Sequence, residues 1–535
     1  MLFLLLAACT REVPVQPVYA PVAAPACTLL TVNDTYRIEP NADGTGGMAR
    51  VRALRARLEA EGSDVLLLHA GDFLYPSLMS RTYAGAQMVE ALNALDGDAA
   101  AMDPRMYVVF GNHEFDAGKM KDAAKLGGSI ADSQFRWLGT NVRFVDPAGA
   151  PDGRVPGPHL PNLVRSDVTD CGGLRVGLFG ITTGKKVPAY VAEIADPVVT
   201  ARTLTAELRA AGADVVVALT HQSVEEDAAV LTALGSAGPD LVVGGHEHNA
   251  QRIEVDGRPI RKADADAHTA WRITFRRGPD GAVTRDEALV PLDAALPEDA
   301  GVKAIVDARI AKHDTDFCGA RKEPLGCLGA QVGVTTVPLV AAELDIRRFE
   351  TNFGSWVAEI ARAAYPGADI ALVNSGSLRL NRDLAAGPIR RQDIEELFAY
   401  PMPLVRVTID GATLQQVLDR AVQEWTGNGH WLQVSGLAWA HDPAAGTAMR
   451  LTLLGAADRR ILPTDTLSVV VPAYLVDPTT DRDGYTMLPA VPGGVGPDLK
   501  QAVLTALAAA PAGIAPAVEG RICNTTKPGP CRAAP

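Results

Sequence analysis

Short apolar runs, several of them rich in β-branched side chains, recur through the first half of the chain. They fall at Leu29–Val32, Val65–Leu68, Met106–Phe110, Leu174–Ile181, Val215–Leu219 and Leu241–Val243. Bounded by Gly, Asp and Asn, such runs predict buried strands. Helix-patterned stretches, among them Met48–Glu61 and Thr200–Ala211, separate several of them, and the alternation predicts an α/β or α+β layered domain. Shorter alternating runs between residues 250 and 295, such as Trp271–Phe275, predict hairpins that close it. From about 296 to 345 the chain turns Ala-rich, polar and helical, which reads as a connection between domains. A second α/β unit follows, with helices predicted at Phe353–Ala364 and Gly411–Val422 and strands at Ile370–Val373, Leu404–Ile409 and Leu467–Val471.

Length supports two large domains: 535 residues exceed what one ordinary core organises. With 47% hydrophobic and 21% charged residues, the composition is globular. A net charge of -13 without a Lys/Arg block argues against binding nucleic acid polymers, where many phosphates must be neutralised. Small phosphorylated ligands need only a local positive site. The amino terminus, Met1-Leu2-Phe3-Leu4-Leu5-Leu6-Ala7-Ala8-Cys9, resembles a bacterial lipoprotein signal with Cys9 as the acylated residue, although no Lys or Arg precedes it. Residues 10–26, rich in Pro, Val and Ala, read as an extended tether. These features predict an exported protein, periplasmic or on the cell surface, held to the membrane only by its lipid. The other six Cys fit three disulfides, with Cys318/Cys327 and Cys523/Cys531 the easiest pairs to close; zinc binding is the alternative.

The chemistry gathers where predicted strands end. Asp34 follows the first run, Asp72 the second, Asn112 and His113 the third, His221 the fifth, and His246 and His248 the sixth. Ligand sites of α/β sheets lie at that edge. One Asp after a strand usually makes only a turn, but five strand ends carrying O and N donors point to a two-metal hydrolytic site.

The order Asp34, Gly71-Asp72, Gly111-Asn112-His113-Glu114-Phe115-Asp116, Thr220-His221 and Gly245-His246-Glu247-His248 resembles the calcineurin-like metallophosphoesterases. Thr351-Asn352-Phe353-Gly354, Asn374-Ser375-Gly376-Ser377-Leu378-Arg379, Gln433-Val434-Ser435-Gly436 and Asp483-Gly484-Tyr485 narrow the resemblance to the bacterial 5′-nucleotidase group, over residues 28 to 490. It implies a four-layer αββα catalytic domain (27–300), a helical linker (301–345), a C-terminal α/β substrate domain (346–510) and a tail (511–535) without chemistry. It also implies two divalent ions (Mn, Zn or Fe): Asp72 bridges them, Asp34 and His248 complete one site, and Asn112, His221 and His246 the other. His113, held by Asp116, would stabilise charge on the phosphoryl group or leaving oxygen, while Glu114 supports the loop. The family usually has His where this chain has Tyr36. Tyr36 is therefore a candidate ligand or a residue lining a three-ligand site, with His69 as a possible substitute.

For the substrate, the resemblance implies a base held between Trp431 and Tyr474, a phosphate or carboxylate grip by Arg379 with Arg382 as a second candidate, and polar contacts from Asn374 and Asp483. The implied activity is release of phosphate from nucleotides. The alternatives are a hydrolase of 2′,3′-cyclic nucleotides, nucleotide-sugars or thiosulfate esters on the same fold, and a surface nucleotide-binding protein with an impaired metal site.

Overall fold

The computed structural model describes residues 26–146, 156–157, 159–184, 187–423, 428–527 and 529–533. The lipoprotein-type leader and Cys9 lie outside them. The chain divides into two compact units, one ending at His313 and the other beginning at Asp314.

The first unit is built on two sheets. Strands β1 (Ala26–Val32), β2 (Ser63–His69), β3 (Met106–Val109), β4 (Arg136–Leu138) and β6 (Leu163–Val164) run parallel, and β14 (Thr269–Arg277) and β15 (Val283–Pro291) extend the sheet antiparallel beside β1. In the second sheet β8 (Leu174–Thr182), β10 (Val215–His221), β11 (Leu241–Gly244) and β13 (Arg258–Lys262) are parallel, with β7 (Ser166–Cys171) and β12 (Gln251–Val255) antiparallel at its edges. A small separate pair joins β5 (Val142–Phe144) to β9 (Val191–Ile194).

Strand alternation makes the layers. Leu29, Leu66, Leu68 and Val109 meet Val176, Val215, Val217 and Leu219 in a core between the sheets. The intervening residues Leu30, Val32, Val65 and Leu67 face α1 (Met48–Ala60), α3 (Ala86–Asn93) and α4 (Ala123–Asp132). Val216, Ala218 and Val242 face α5 (Pro197–Ala210) and α6 (Val224–Leu234). With a period of two, each strand carries apolar residues on both faces, which is why these runs read as continuously apolar. The result is the expected four-layer αββα sandwich. A short helix, α2 (Leu78–Tyr83), precedes α3.

The long helix α7 (Ala300–Arg321) carries the chain from the first unit into the second. The second unit holds a sheet of β17 (Ile370–Asn374), β19 (Leu404–Asp410), β20 (Leu432–Ser435) and β24 (Thr466–Pro472), a sheet of β21 (Leu437–Asp442), β22 (Thr447–Leu453), β23 (Arg459–Arg460) and β25 (Ile522–Asn524), and the pair β16 (Gln331–Thr335) with β18 (Gly387–Arg390). Helices α8 (Glu343–Ile346), α9 (Asn352–Ala363), α10 (Arg391–Leu397), α11 (Gly411–Val422) and α12 (Leu499–Ala508) accompany them. Two segments outside residues 346–510 also pair within this unit. The end of the expected linker is part of this fold, because β16 pairs with β18 and Thr335 bridges Ile514. The tail is also built in: β25 adds to β21 in parallel, and the buried Arg521 binds Glu359 and the Val434 carbonyl.

Cys318–Cys327 and Cys523–Cys531 are disulfides, and Cys27–Cys171 is a third that ties β1 of one sheet to β7 of the other. All six are consumed, so none is left to bind zinc. Three disulfides belong to a chain that folds in an oxidising compartment. Among the described residues, no helix is long and apolar enough to cross a membrane.

Candidate metal centre

The carboxyl ends of β1, β2, β3, β10 and β11 deliver Asp34, Asp72, Asn112, His221 and His246 to one edge of the sandwich, and His248 follows two residues later. Asp34, Asp72, His246 and His248 all have positive φ, which non-Gly residues adopt at a cost of about 1–3 kcal/mol each. Gly71 turns at φ 83, and a Cβ on Gly245 would meet Asp34 Oδ2 at 2.8 Å. The loops can therefore approach only with glycine at these points.

Donor atoms converge in this cluster. His221 Nδ1 donates to the Ala70 carbonyl at 2.6 Å, which turns Nε2 toward Asp72 Oδ2 at 3.1 Å and Asp34 Oδ1 at 3.8 Å. That Nε2 is buried without a hydrogen bond. One ligand atom from each of Asp34, Asp72 and His221 lies within 4.8 Å of the others. His248 Nε2 stands 3.4 Å from Asp34 Oδ1, and His246 Nδ1 stands 3.1 Å from Asn112 Oδ1. Two fully buried carboxylates and an orphaned imidazole nitrogen fit a metal cation, and the mixed O and N donor set suits a divalent transition ion. Without one, a proton substitutes: burial would lower the His221 pKa, but Asp72 and Asp34 outweigh it and push it up to about 10. Burial likewise opposes ionisation of Asp34, yet His221, His248 and Asn33 hold its carboxyl well below the usual range.

Tyr36 belongs to this cluster. Its hydroxyl lies 2.8 Å from His248 Nε2, 3.4 Å from Asp34 Oδ1 and 3.5 Å from Asp72 Oδ2. Ligands about 2.1 Å from one ion stand about 3.0 to 3.4 Å from each other, a spacing the phenol meets at Asp34 Oδ1 and nearly meets at Asp72 Oδ2, whereas its contact with His248 Nε2 has the length of a hydrogen bond. His69 is not a substitute. The Gly71 N–H donates to its Nδ1 at 3.2 Å, leaving Nε2 to donate to Thr35 Oγ1 at 2.7 Å, and burial lowers its pKa to about 3. It is a neutral brace between two loops.

His113 Nδ1 is 2.9 Å from Asp116 Oδ2, and the His113 backbone N–H donates to Asp72 Oδ1 at 2.7 Å. The Asp116 carboxylate fixes the orientation of the ring through Nδ1. Glu114 accepts from the backbone N–H groups of Asp72, Phe73, Leu74 and Gly111 at 2.8, 2.8, 3.0 and 2.6 Å. One buried carboxylate thus joins the second and third loops. Asn33 and Asp266 were not singled out from the sequence. Asn33 Nδ2 donates to Asp34 Oδ2 at 2.8 Å and exchanges two bonds with the Ala263 backbone, and Asp266 Oδ1 accepts from the Tyr36 N–H at 2.8 Å. No spacing rule finds them, because their partners lie about 230 residues away.

The second unit gathers its own polar group. Asn374 Nδ2 donates to Asp483 Oδ2 at 2.7 Å, and the half-exposed Tyr474 donates to Asp483 Oδ1 at 3.1 Å and to Asp481. Burial and these two carboxylates keep the Tyr474 phenol protonated. Arg379 Nε donates to the Gly376 carbonyl at 2.6 Å. Arg382 is committed elsewhere, to Asp393 at 2.7 Å and Glu396 at 3.1 Å. Trp431 requires a correction. It is 1% exposed, donates to the Phe349 carbonyl at 3.1 Å and packs against Trp439 and His441, so neither face is open to a base in this conformation. Its position before Leu432-Gln433-Val434 fixed the backbone, and the adjoining apolar core took the ring.

Residues 28–250 match the family model described as calcineurin-like phosphoesterase, and residues 331–490 match the 5′-nucleotidase C-terminal domain. Between them the matches take in most of the chain. A snake venom 5′-nucleotidase of Naja atra is 25% identical over 86% of this chain and 91% of its own length. The 5′-nucleotidase of Rattus norvegicus is 24% identical over 86% and 84%. A 5′-nucleotidase precursor from Thermus thermophilus superposes with TM-score 0.76 at 24% identity, covering 94% of this chain and all of the other. A sulfate thiohydrolase of the same organism superposes with TM-score 0.70 at 17% identity, over 96% and 98%. These structural likenesses establish the fold.

Proposed function

From the membership of this chain in the calcineurin-like phosphoesterases that carry a 5′-nucleotidase C-terminal domain, we propose that it hydrolyses nucleotide phosphate monoesters to nucleoside and phosphate. The observation that carries the reading is the buried group of Asp34, Asp72 and His221, with His221 Nε2 left without a hydrogen-bond partner. Asp72 would be shared by two divalent ions, with Asp34, His248 and Tyr36 on one side and Asn112, His221 and His246 on the other. When bound, such ions lower the pKa of a water nucleophile and neutralise charge on the transferring phosphoryl group. The protein's own part is to hold those donors through Glu114, Asn33 and the Ala70 carbonyl. His113, oriented by Asp116, would stabilise charge on the phosphoryl group or leaving oxygen. In the second unit, Tyr474 supplies an aromatic face for the base, Asn374 and Asp483 bind base or ribose, and Arg379 grips an anionic group.

The 5′-nucleotidase relatives, and a net charge of -13 without a Lys/Arg block in the sequence, both favour a small substrate. We also propose that the protein is exported and lipid-anchored at Cys9. Fatty-acid labelling abolished in Cys9→Ser would support this, and unchanged labelling would refute it.

Metal analysis together with phosphate release from a nucleotide panel under Mn, Zn and Fe tests the activity. Two bound ions, with turnover abolished in Asp72→Ala, are expected. Turnover confined to cyclic nucleotides, nucleotide-sugars or thiosulfate esters would replace the monoesterase reading. Tight nucleotide binding without turnover under every ion would make the chain a binding protein.

A further inference from the structure

Behind the histidine-bearing edge of the second sheet lies a buried ionic cluster that the reaction itself does not use. Lys262, at the end of β13, is 1% exposed. Its ammonium donates to the Gln222 carbonyl at 2.7 Å, lies 2.6 Å from Glu247 Oε2 and stands 2.9 Å from Asp227 Oδ2. Glu247 also accepts from the backbone N–H of Val224, the first residue of α6. Gln222 follows His221, whereas Glu247 sits between His246 and His248. One lysine therefore fastens two loops that together carry three imidazoles. Ser223 and Glu226 form a capping box in the same turn, so the chain leaving His221 is fixed on both sides.

The backbone around the cluster is shaped for it. A Cβ on Gly244 would meet Lys262 Cε at 2.8 Å, Thr220 Oγ1 at 2.9 Å and Asp227 Oδ2 at 3.2 Å. Glycine at 244 leaves room for the ammonium and its partners. His246 and His248 both stand at positive φ, a conformation that persists only where surrounding contacts over-determine it. In the Gly245–His248 loop, the side chain that reaches back into the protein is Glu247.

We propose that Glu247 and Lys262 are a positioning pair that clamps the Gly245–His248 loop to the His221 loop, setting the separation of His221 from His246 and His248 for metal binding. The inference rests on the metallophosphoesterase reading and deepens it. A charge at the middle position of Gly-His-x-His is otherwise unexplained, since Glu247 bonds none of the candidate ligand side chains among the described residues.

The clean variant is Glu247→Ala. It removes the link between the loops but leaves Lys262 paired with Asp227, so no buried charge is stranded. Lys262→Met strands two carboxylates and is expected to unfold more easily. The experiment titrates Mn(II) or Zn(II) into chelator-stripped protein by calorimetry and measures melting of the metal-free forms. Expected are a 10- to 100-fold loss of metal affinity in Glu247→Ala, a metal-free melting temperature close to wild type, and recovery of affinity in Glu247→Gln, which keeps an acceptor for the Val224 N–H. Wild-type affinity in a folded Glu247→Ala would overturn the clamp and leave the metal reading standing. An affinity loss matched by an equal loss in metal-free stability, or not rescued by Gln, would reduce the pair to a structural salt bridge. A wild-type protein that takes up no ion overturns the metal reading and the clamp together.

Discussion

Without divalent ions at the site, His221 should carry a proton. Its Nδ1 is held by the Ala70 carbonyl and its Nε2 faces Asp72 at 3.1 Å, so the charged imidazolium is the cation that the two buried carboxylates retain when no ion is present. With the pKa pushed up to about 10, the metal-free protein at pH 7 holds this proton with about 4 kcal/mol to spare, since each unit corresponds to about 1.4 kcal/mol. An ion that takes Nε2 must expel it. Metal affinity should therefore rise about tenfold per pH unit between pH 7 and 9 and flatten toward pH 10, with one proton released per protein from this residue. Stability has the opposite sign. A histidine whose folded pKa lies above its unfolded value near 6.5 contributes stability that is fully present below pH 6.5 and is lost as pH rises through 10. Calorimetric titrations in buffers of different ionisation enthalpy count the released protons. An affinity independent of pH over this range, with no proton release, would show that His221 is neutral in the metal-free state and would refute the account of how the carboxylates are balanced.

Three further outcomes are expected. Tyr36→His should raise ion occupancy at the site shared by Asp34 and His248, read by metal analysis after limited chelation; unchanged occupancy would mean that the phenol already ligates as well as an imidazole. Cys27→Ala with Cys171→Ala removes a cross-link separated by 144 residues and should cost up to about 5 kcal/mol of unfolding free energy in the chain-entropy picture, measured by denaturant titration; a loss under about 1 kcal/mol would show that the sheets need no tie. Tyr474→Leu should raise KM by about 5- to 150-fold, matching about 1–3 kcal/mol of base stacking, with kcat little changed, whereas Trp431→Ala should instead lose about 3–5 kcal/mol of stability. A KM effect confined to Trp431 would reverse the assignment of the rings.

The sequence was legible where one residue's environment is set by its near neighbours. Runs such as Val215–Leu219 are apolar on both faces because they lie between two cores, and the polar residue that ends each run marks the sheet edge. Ligand candidates could be found because each sits within a few residues of such an end. Their supports could not. Asn33 meets Ala263, Lys262 meets Glu247, and Glu114 meets Phe73 only once strand order and register are fixed, and neither is visible in a local pattern. The same limit explains the tail, where β25 is a three-residue strand whose identity comes from its neighbour β21. Trp431 fails for a different reason: a motif fixes where a ring is attached, while the rotamer depends on whether the core beside it has room. Positive φ at Asp34, Asp72, His246 and His248 was also beyond sequence reasoning, although Gly71 and Gly245 hinted at tight turns.

The charge of the site resolves an apparent conflict between this acidic chain and an anionic substrate. Asp34 and Asp72 are buried, and among the described residues no Lys or Arg pairs with either carboxylate, so the protein alone offers the edge of the sheets as a negative region. The cations that are buried nearby are already committed: Lys262 to Asp227 and Glu247, Arg261 to Glu254 and Glu287. A single proton on His221 offsets only part of the two carboxylates, so the metal-free site should repel phosphate. Asp34, Asp72 and their histidine partners would hold divalent ions whose charge, when bound, would reverse the sign at this edge. Affinity for the anion would thereby depend on the ions. The donor set would hold those ions, the ions would attract the substrate, and the net charge of -13 of the whole chain would not oppose binding at contact range, because salt screens distant charges within about 10 Å.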